Sequence, residues 1–184
     1  MMPEEALKLP LSKLDEYGIP YMIAGSFASN LHGLPRATQV ADIVIDAEKN
    51  NLEQFLKSLS STFYRSPEAA LDAFAREQMF NVIHLETGFK FDLILRKSRP
   101  FSAMEFSRRQ PAFYLGEGRW FATAEDTLPA KLEWSKRAGS ERQFNDALNV
   151  AKLQKGNLDR PYLKKWAKEL DILDLLGMLL KEID

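Results

Sequence analysis

The feature that most narrows the fold of this chain of 184 residues is the segregation of its hydrophobic periods. Short apolar runs rich in β-branched residues crowd residues 21–123, whereas from Ala124 onward apolar residues recur only at helical spacing. Leu7, Leu11 and Leu14 predict a helix over 4–17, stopped by Gly18 and Pro20, and 21–24 reads as a buried strand. A helix over 27–32, a loop over 33–38, a strand over 41–46 and a helix over 48–61 follow, then a short helix over 68–76. Segments 79–86 and 89–96 flank Thr87-Gly88 and predict a hairpin, glycine supplying the positive φ of its turn. Residues 97–119 read as loose, with Pro100, Pro111, Gly116 and Gly118, and a last strand is expected near 120–123. Three helical pieces close the chain, over 125–138, 140–154 and 159–183, the last broken near residue 171. Strands in the middle and helices at the end predict an α+β layout, divided as an α/β domain over 1–123 and a helical C-terminal lobe over 124–184.

The composition removes whole classes of function. Cysteine is absent, so disulfide scaffolds, cysteine–zinc sites, iron–sulfur clusters and thiol nucleophiles are excluded. Two histidines, His32 and His84, are too few for a histidine-rich metal centre. Twenty-five basic against 26 acidic residues leave a net charge of −1, which excludes a uniformly basic nucleic-acid wrapper. The start of the chain carries Glu4, Glu5 and Lys8 with no continuous apolar core, unlike a signal peptide, and no window is apolar enough to span a bilayer. A cytoplasmic protein is expected.

Two local features bear on chemistry. Gly25-Ser26 stands where a strand meets a helix; glycine allows a sharp turn, and amide groups at a helix start together with a serine hydroxyl hold phosphate oxygens. Carboxylates also interrupt apolar strands. Asp42 shares a strand face with Val40, Val44 and Asp46, and Asp92 is embedded in Phe91-Asp92-Leu93-Ile94-Leu95. A charge there costs several kcal/mol unless it is paired or binds metal. Arg36, Lys90 and Arg96 are the candidate structural partners.

In combination these stretches are more specific. Ala24-Gly25-Ser26-Phe27-Ala28, His32-Gly33-Leu34-Pro35-Arg36-Ala37-Thr38 and Asp42-Ile43-Val44-Ile45 resemble the active-site region of nucleotidyltransferases with the DNA-polymerase-β-like fold, in particular small members related to the AbiEii abortive-infection toxins of type IV toxin–antitoxin pairs. The likeness extends to Phe91-Asp92-Leu93-Ile94 and resumes at Lys131-Leu132-Glu133-Trp134 and Arg142-Gln143-Phe144-Asn145-Asp146. It implies a small mixed sheet flanked by helices and Mg²⁺-dependent transfer of a nucleoside monophosphate from an NTP to an acceptor. By the same resemblance Asp42 and Asp92 hold metal, and Asp42, Asp92 and Lys131 are catalytic. Gly25, Ser26, Arg36, Thr38, Lys131, Arg142 and Asp146 bind the nucleotide.

One departure is plain. The family places Asp-x-Asp after its Pro-Arg-x-Thr stretch, and the corresponding residues here are Val40, Ala41 and Asp42. Asp46 does not replace the missing acid, since four residues along a strand span roughly 13 Å. Two principal readings follow: an enzyme acting on an RNA such as tRNA, a protein or a small molecule, as the toxin beside a cognate antitoxin; or a degenerate member that binds nucleotide or a partner protein without catalysis. A third, an RNA-binding module, requires the basic residues Arg96, Lys97, Arg99, Arg108 and Arg109 to converge with Lys131, Lys136, Arg137 and Arg142.

Overall fold

The computed structural model describes residues 3–184. Met1 and Met2, which open the stretch read as lacking a signal peptide, lie outside the described residues. The chain divides into two compact units. One holds the residues up to Ile23 together with Thr38–Phe121, the other Ala24–Ala37 with Ala122–Asp184.

The first unit is built on a mixed sheet. Its strands are β1 (Tyr21–Ile23), β2 (Val40–Ile45), β3 (Phe63–Arg65), β4 (Met79–His84), β5 (Phe89–Leu95), β6 (Gln110–Tyr114) and β7 (Glu117–Phe121). They lie in the order β3-β4-β5-β2-β1-β7-β6, with β2·β5 and β1·β7 parallel and the other pairs antiparallel. After a 3-10 turn (Pro3–Leu7) come helix α1 (Lys8–Glu16) and, later, α3 (Lys49–Ser58), α4 (Pro67–Arg76) and α5 (Pro100–Ser107). Period-two alternation sorts the central strands into two faces. Ala41, Ile43 and Ile45 of β2, Phe80 and Val82 of β4, and Phe89, Phe91, Leu93 and Leu95 of β5 form a buried face. Leu11 and Leu14 of α1 and Leu52 and Phe55 of α3 are buried as well. The opposite face carries Val40, Asp42 and Val44, Lys90, Asp92 and Ile94, and Asn81 and Ile83.

Residues 97–119, expected to be loose, form α5, β6 and a β7 that starts at Glu117 instead of near Trp120. The punctuating residues are compatible with these elements. Pro100 lies in the first turn of α5, where a missing N–H breaks no bond. Pro111 lies in β6, the last strand in the sheet order. Leu115 and Gly116, at φ 54° and 87°, make the two-residue turn that a tight hairpin wants.

The second unit is helical: α2 (Gly25–His32), α6 (Ala124–Ala138), α7 (Glu141–Gln154), a 3-10 turn (Lys155–Asn157), α8 (Arg160–Glu169) and α9 (Leu173–Ile183). The expected break is at Asp171, whose φ of 58° ends the helical run. Asp159 caps α8 by accepting from the Tyr162 amide at 3.0 Å. The apolar stripes of α8 and α9 close on those of α6 and α7: Leu128, Leu132, Val150, Leu163, Ile172, Leu176 and Leu179 are buried in one cluster. Gly33 brings the segment after α2 against α7, since a β-carbon there would stand 2.9 Å from the Ser29 carbonyl oxygen and 3.0 Å from the Val150 amide nitrogen. Among the described residues no helix is long and apolar enough to cross a membrane.

Candidate functional site

In the sheet unit, parallel pairing of β2 with β5 sets Asp42 directly opposite Asp92. Both side chains therefore leave the same face, with backbones about 4.8 Å apart. Asp92 is 7 % exposed. Its Oδ1 accepts from Asn81 Nδ2 at 2.6 Å and lies 3.1 Å from the Lys90 ammonium. Of the three cations considered from sequence, Lys90 is thus paired with Asp92, while Arg96 pairs with Asp46 at 3.1 Å. Asn81 was missed, because only the register of β4 against β5 sets it opposite Asp92. One register step earlier Val40 faces Lys90, so an apolar side chain and an ammonium stand where a third carboxylate is looked for. His84 cannot join this face. It alternates to the other side of β4, packs its ring 5.0 Å from that of Phe63 and bonds Thr87 Oγ1. Thr38 Oγ1 caps the start of β2, accepting from the Val40 amide at 3.2 Å and donating to its carbonyl at 3.1 Å.

The fit of these residues to Mg²⁺ follows from the donor set. A hard divalent ion needs oxygen ligands, and two such ions need shared carboxylates. Here two carboxylates face one another, and one of them already has an oxygen engaged by two nitrogen donors. Among the described residues no group of three or more His, Cys, Asp or Glu gathers to hold a metal. A two-metal centre does not fit this set.

The helical unit holds a second polar cluster. Gly25 opens α2 at φ 56°, a value that glycine adopts without steric cost. Ser26 follows, its hydroxyl accepting from Arg36 Nη2 at 2.8 Å. The same guanidinium grips Asp146 with both prongs, Nε to Oδ1 at 2.9 Å and Nη2 to Oδ2 at 2.8 Å. Lys131, 3 % exposed, donates to Asp146 Oδ2 at 2.9 Å. The Arg36 backbone is itself clamped by Asn30, which donates to its carbonyl and accepts from its amide. Burial raises the pKa of Asp146, but the bonds from Arg36 and Lys131 outweigh it and hold the carboxyl below its ordinary range. Asp146, on α7, therefore ties α6 to the loop after α2, whereas Arg142, which spacing alone offers as its helical neighbour, is exposed. Of the basic residues grouped with Lys131 from sequence, Lys136 pairs with Asp171 and Arg137 with Glu133.

Comparison with known proteins gives a structural likeness without a close sequence relative. No family model and no curated protein matches the chain. An antigenic nucleotidyltransferase-like protein from Paracoccidioides brasiliensis superposes with a TM-score of 0.60 at 19 % identity, covering 96 % of this chain and 91 % of its own. The antibiotic-resistance factor ANT(2'')-Ia superposes with a TM-score of 0.59 at 11 % identity, covering 96 % and 94 %. The likeness takes in nearly the whole of each partner, so the chain shares the fold of this nucleotidyltransferase-like protein and of the resistance factor.

Proposed function

We propose that the chain binds a nucleoside triphosphate and is a catalytically depleted member of its fold. The observation that carries this reading is the acid face, where Asp42 and Asp92 stand in register and Lys90, across from Val40, is paired with Asp92. Phosphoryl transfer in such folds is driven by positioning and charge neutralisation, so losing a metal-bridging carboxylate lowers the rate far more than it lowers affinity for the nucleotide. Gly25 and Ser26 are the residues assigned to the triphosphate. The Ser26 oxygen accepts from Arg36, which leaves its own O–H to donate to a phosphate oxygen. Lys131 and Asp146 hold Arg36 and the start of α2 in place, and Thr38 orders the entry to β2.

The in-register acid pair favours a second reading. In it Asp42 and Asp92 hold one Mg²⁺, and the protein transfers a nucleoside monophosphate to an RNA such as tRNA, a protein or a small molecule, as AbiEii-like toxins do beside a cognate antitoxin. Calorimetric titration with each NTP, with and without Mg²⁺, followed by incubation with radiolabelled NTP and total tRNA or cell extract, separates the two. Saturable binding with no label transferred is the expected result. Label transfer that Asp92→Asn abolishes establishes the second reading, and absence of any binding overturns both.

A further inference from the structure

We infer that Lys90 is the resident cation of the acid face and takes the position that a divalent metal would otherwise occupy beside Asp92. The inference rests on the reading that the Asp42–Asp92 face corresponds to the acidic centre of this fold. Three observations converge on it. Asp42 and Asp92 are direct cross-strand partners, and two unit charges about 5 Å apart repel by roughly 3 kcal/mol at an effective dielectric near 20. Such a pair calls for a neighbouring positive charge. Lys90 supplies one from two residues along the same strand face, its Nζ 3.1 Å from Asp92 Oδ1. The third observation is Val40, the register partner of Lys90. A carboxylate there would recruit metal or pair with the lysine, whereas valine does neither and leaves the ammonium to Asp92. Asn81 adds a neutral donor to the same oxygen at 2.6 Å, so this oxygen is saturated by nitrogen donors.

The chemical consequence is a fixed monovalent charge in place of a labile divalent one. An ammonium offers no vacant coordination positions for a phosphate and its attacking oxygen, so it neutralises charge without organising an in-line displacement. An Mg²⁺ ion binding through this Oδ1 would have to compete with the ammonium and the amide on a carboxylate that is nearly buried.

The test measures Mn²⁺ binding by the loss of its free-ion spin-resonance signal, in the full-length protein without nucleotide. Lys90→Gln is expected to bind Mn²⁺ about tenfold more tightly than the wild type, the scale of one close charge pair. Lys90→Arg, which keeps the charge, is expected to match the wild type, and Lys90→Gln with Asp92→Asn is expected to lose the gain. Circular dichroism confirms that each variant is folded, and Lys90→Met replaces Lys90→Gln if the latter is not. The inference is overturned if the wild type binds Mn²⁺ as tightly as Lys90→Gln, or if the gain survives Asp92→Asn and so arises elsewhere. Because no nucleotide is present, these outcomes are independent of the NTP titration, whose failure counts against the proposed function alone.

Discussion

Asp146 ties two cations together in the helical unit, accepting from both Arg36 and Lys131. Asp146→Asn removes the charged carboxylate that both cations engage, one of them with its side chain 4 % exposed. Breaking a buried pair from one side costs about 3 kcal/mol at the low end, which suits a site where Arg36 is partly hydrated. Urea unfolding should show that loss as a lower midpoint; a change within 0.5 kcal/mol, the scatter of ordinary surface substitutions, would mean the cluster is fully solvated in practice. The depressed pKa also sets a pH window. The stabilisation from Asp146 is complete above its ordinary value of 3.8 and is lost as pH falls through its lower folded value. His32 acts at a milder pH. Its Nε2 donates to the Ala122 carbonyl at 2.7 Å, while burial, opposed only by that bond, holds the imidazole pKa below 6.5. The unfolded chain takes up the proton first, so stability declines as pH drops below 6.5. His32→Gln keeps an N–H donor and should flatten the stability profile between about pH 7 and pH 5; an unchanged slope would assign it to other groups. At this scale the sequence showed that Asp92 needed a partner and that Lys90 was a candidate, because both are strand-face neighbours two residues apart. Asn81 and the Arg36–Asp146 fork, 110 residues apart, were illegible because nothing local encodes them.

Elements were read best where one physical signal dominated. The 79–84 and 89–95 hairpin, the Asp159 cap and the break at Asp171 each rest on a glycine, a proline or a period that short-range sterics make decisive. The β6–β7 hairpin was missed because its prolines and glycines read as breakers, although an edge strand and a tight turn accommodate both. Close approach of the segment after α2 to α7 rests on Gly33, where the clash is with backbone atoms that cannot rotate away. Gly33→Ala should therefore destabilise by about 1–3 kcal/mol. Gly156→Ala, at a position where a β-carbon meets nothing within 4 Å, is the control. Equal unfolding midpoints for the two variants would show that α7 yields without cost.

For the molecule as a whole, a ligand that binds only the folded chain adds stability by mass action. An NTP at 100 times its dissociation constant should add about 2.7 kcal/mol, or roughly 5–10 °C in Tm. A Tm that does not move at saturating NTP would contradict the proposed nucleotide binding. Lys90→Gln should also make any such shift more dependent on divalent metal than in the wild type. By itself the sequence determined the α+β class, nearly all the helices and the acid-bearing strands, because steric preference and hydrophobic period act within a few residues and are written in each segment. The tertiary structure alone decided that β2 and β5 run parallel with Asp42 facing Asp92, that Lys90 stands across from Val40, and that α2 packs with α6 and α7 around Asp146. Those pairings join residues distant in the chain, and their free energy comes from burial and charge compensation that exist only after the backbone has closed.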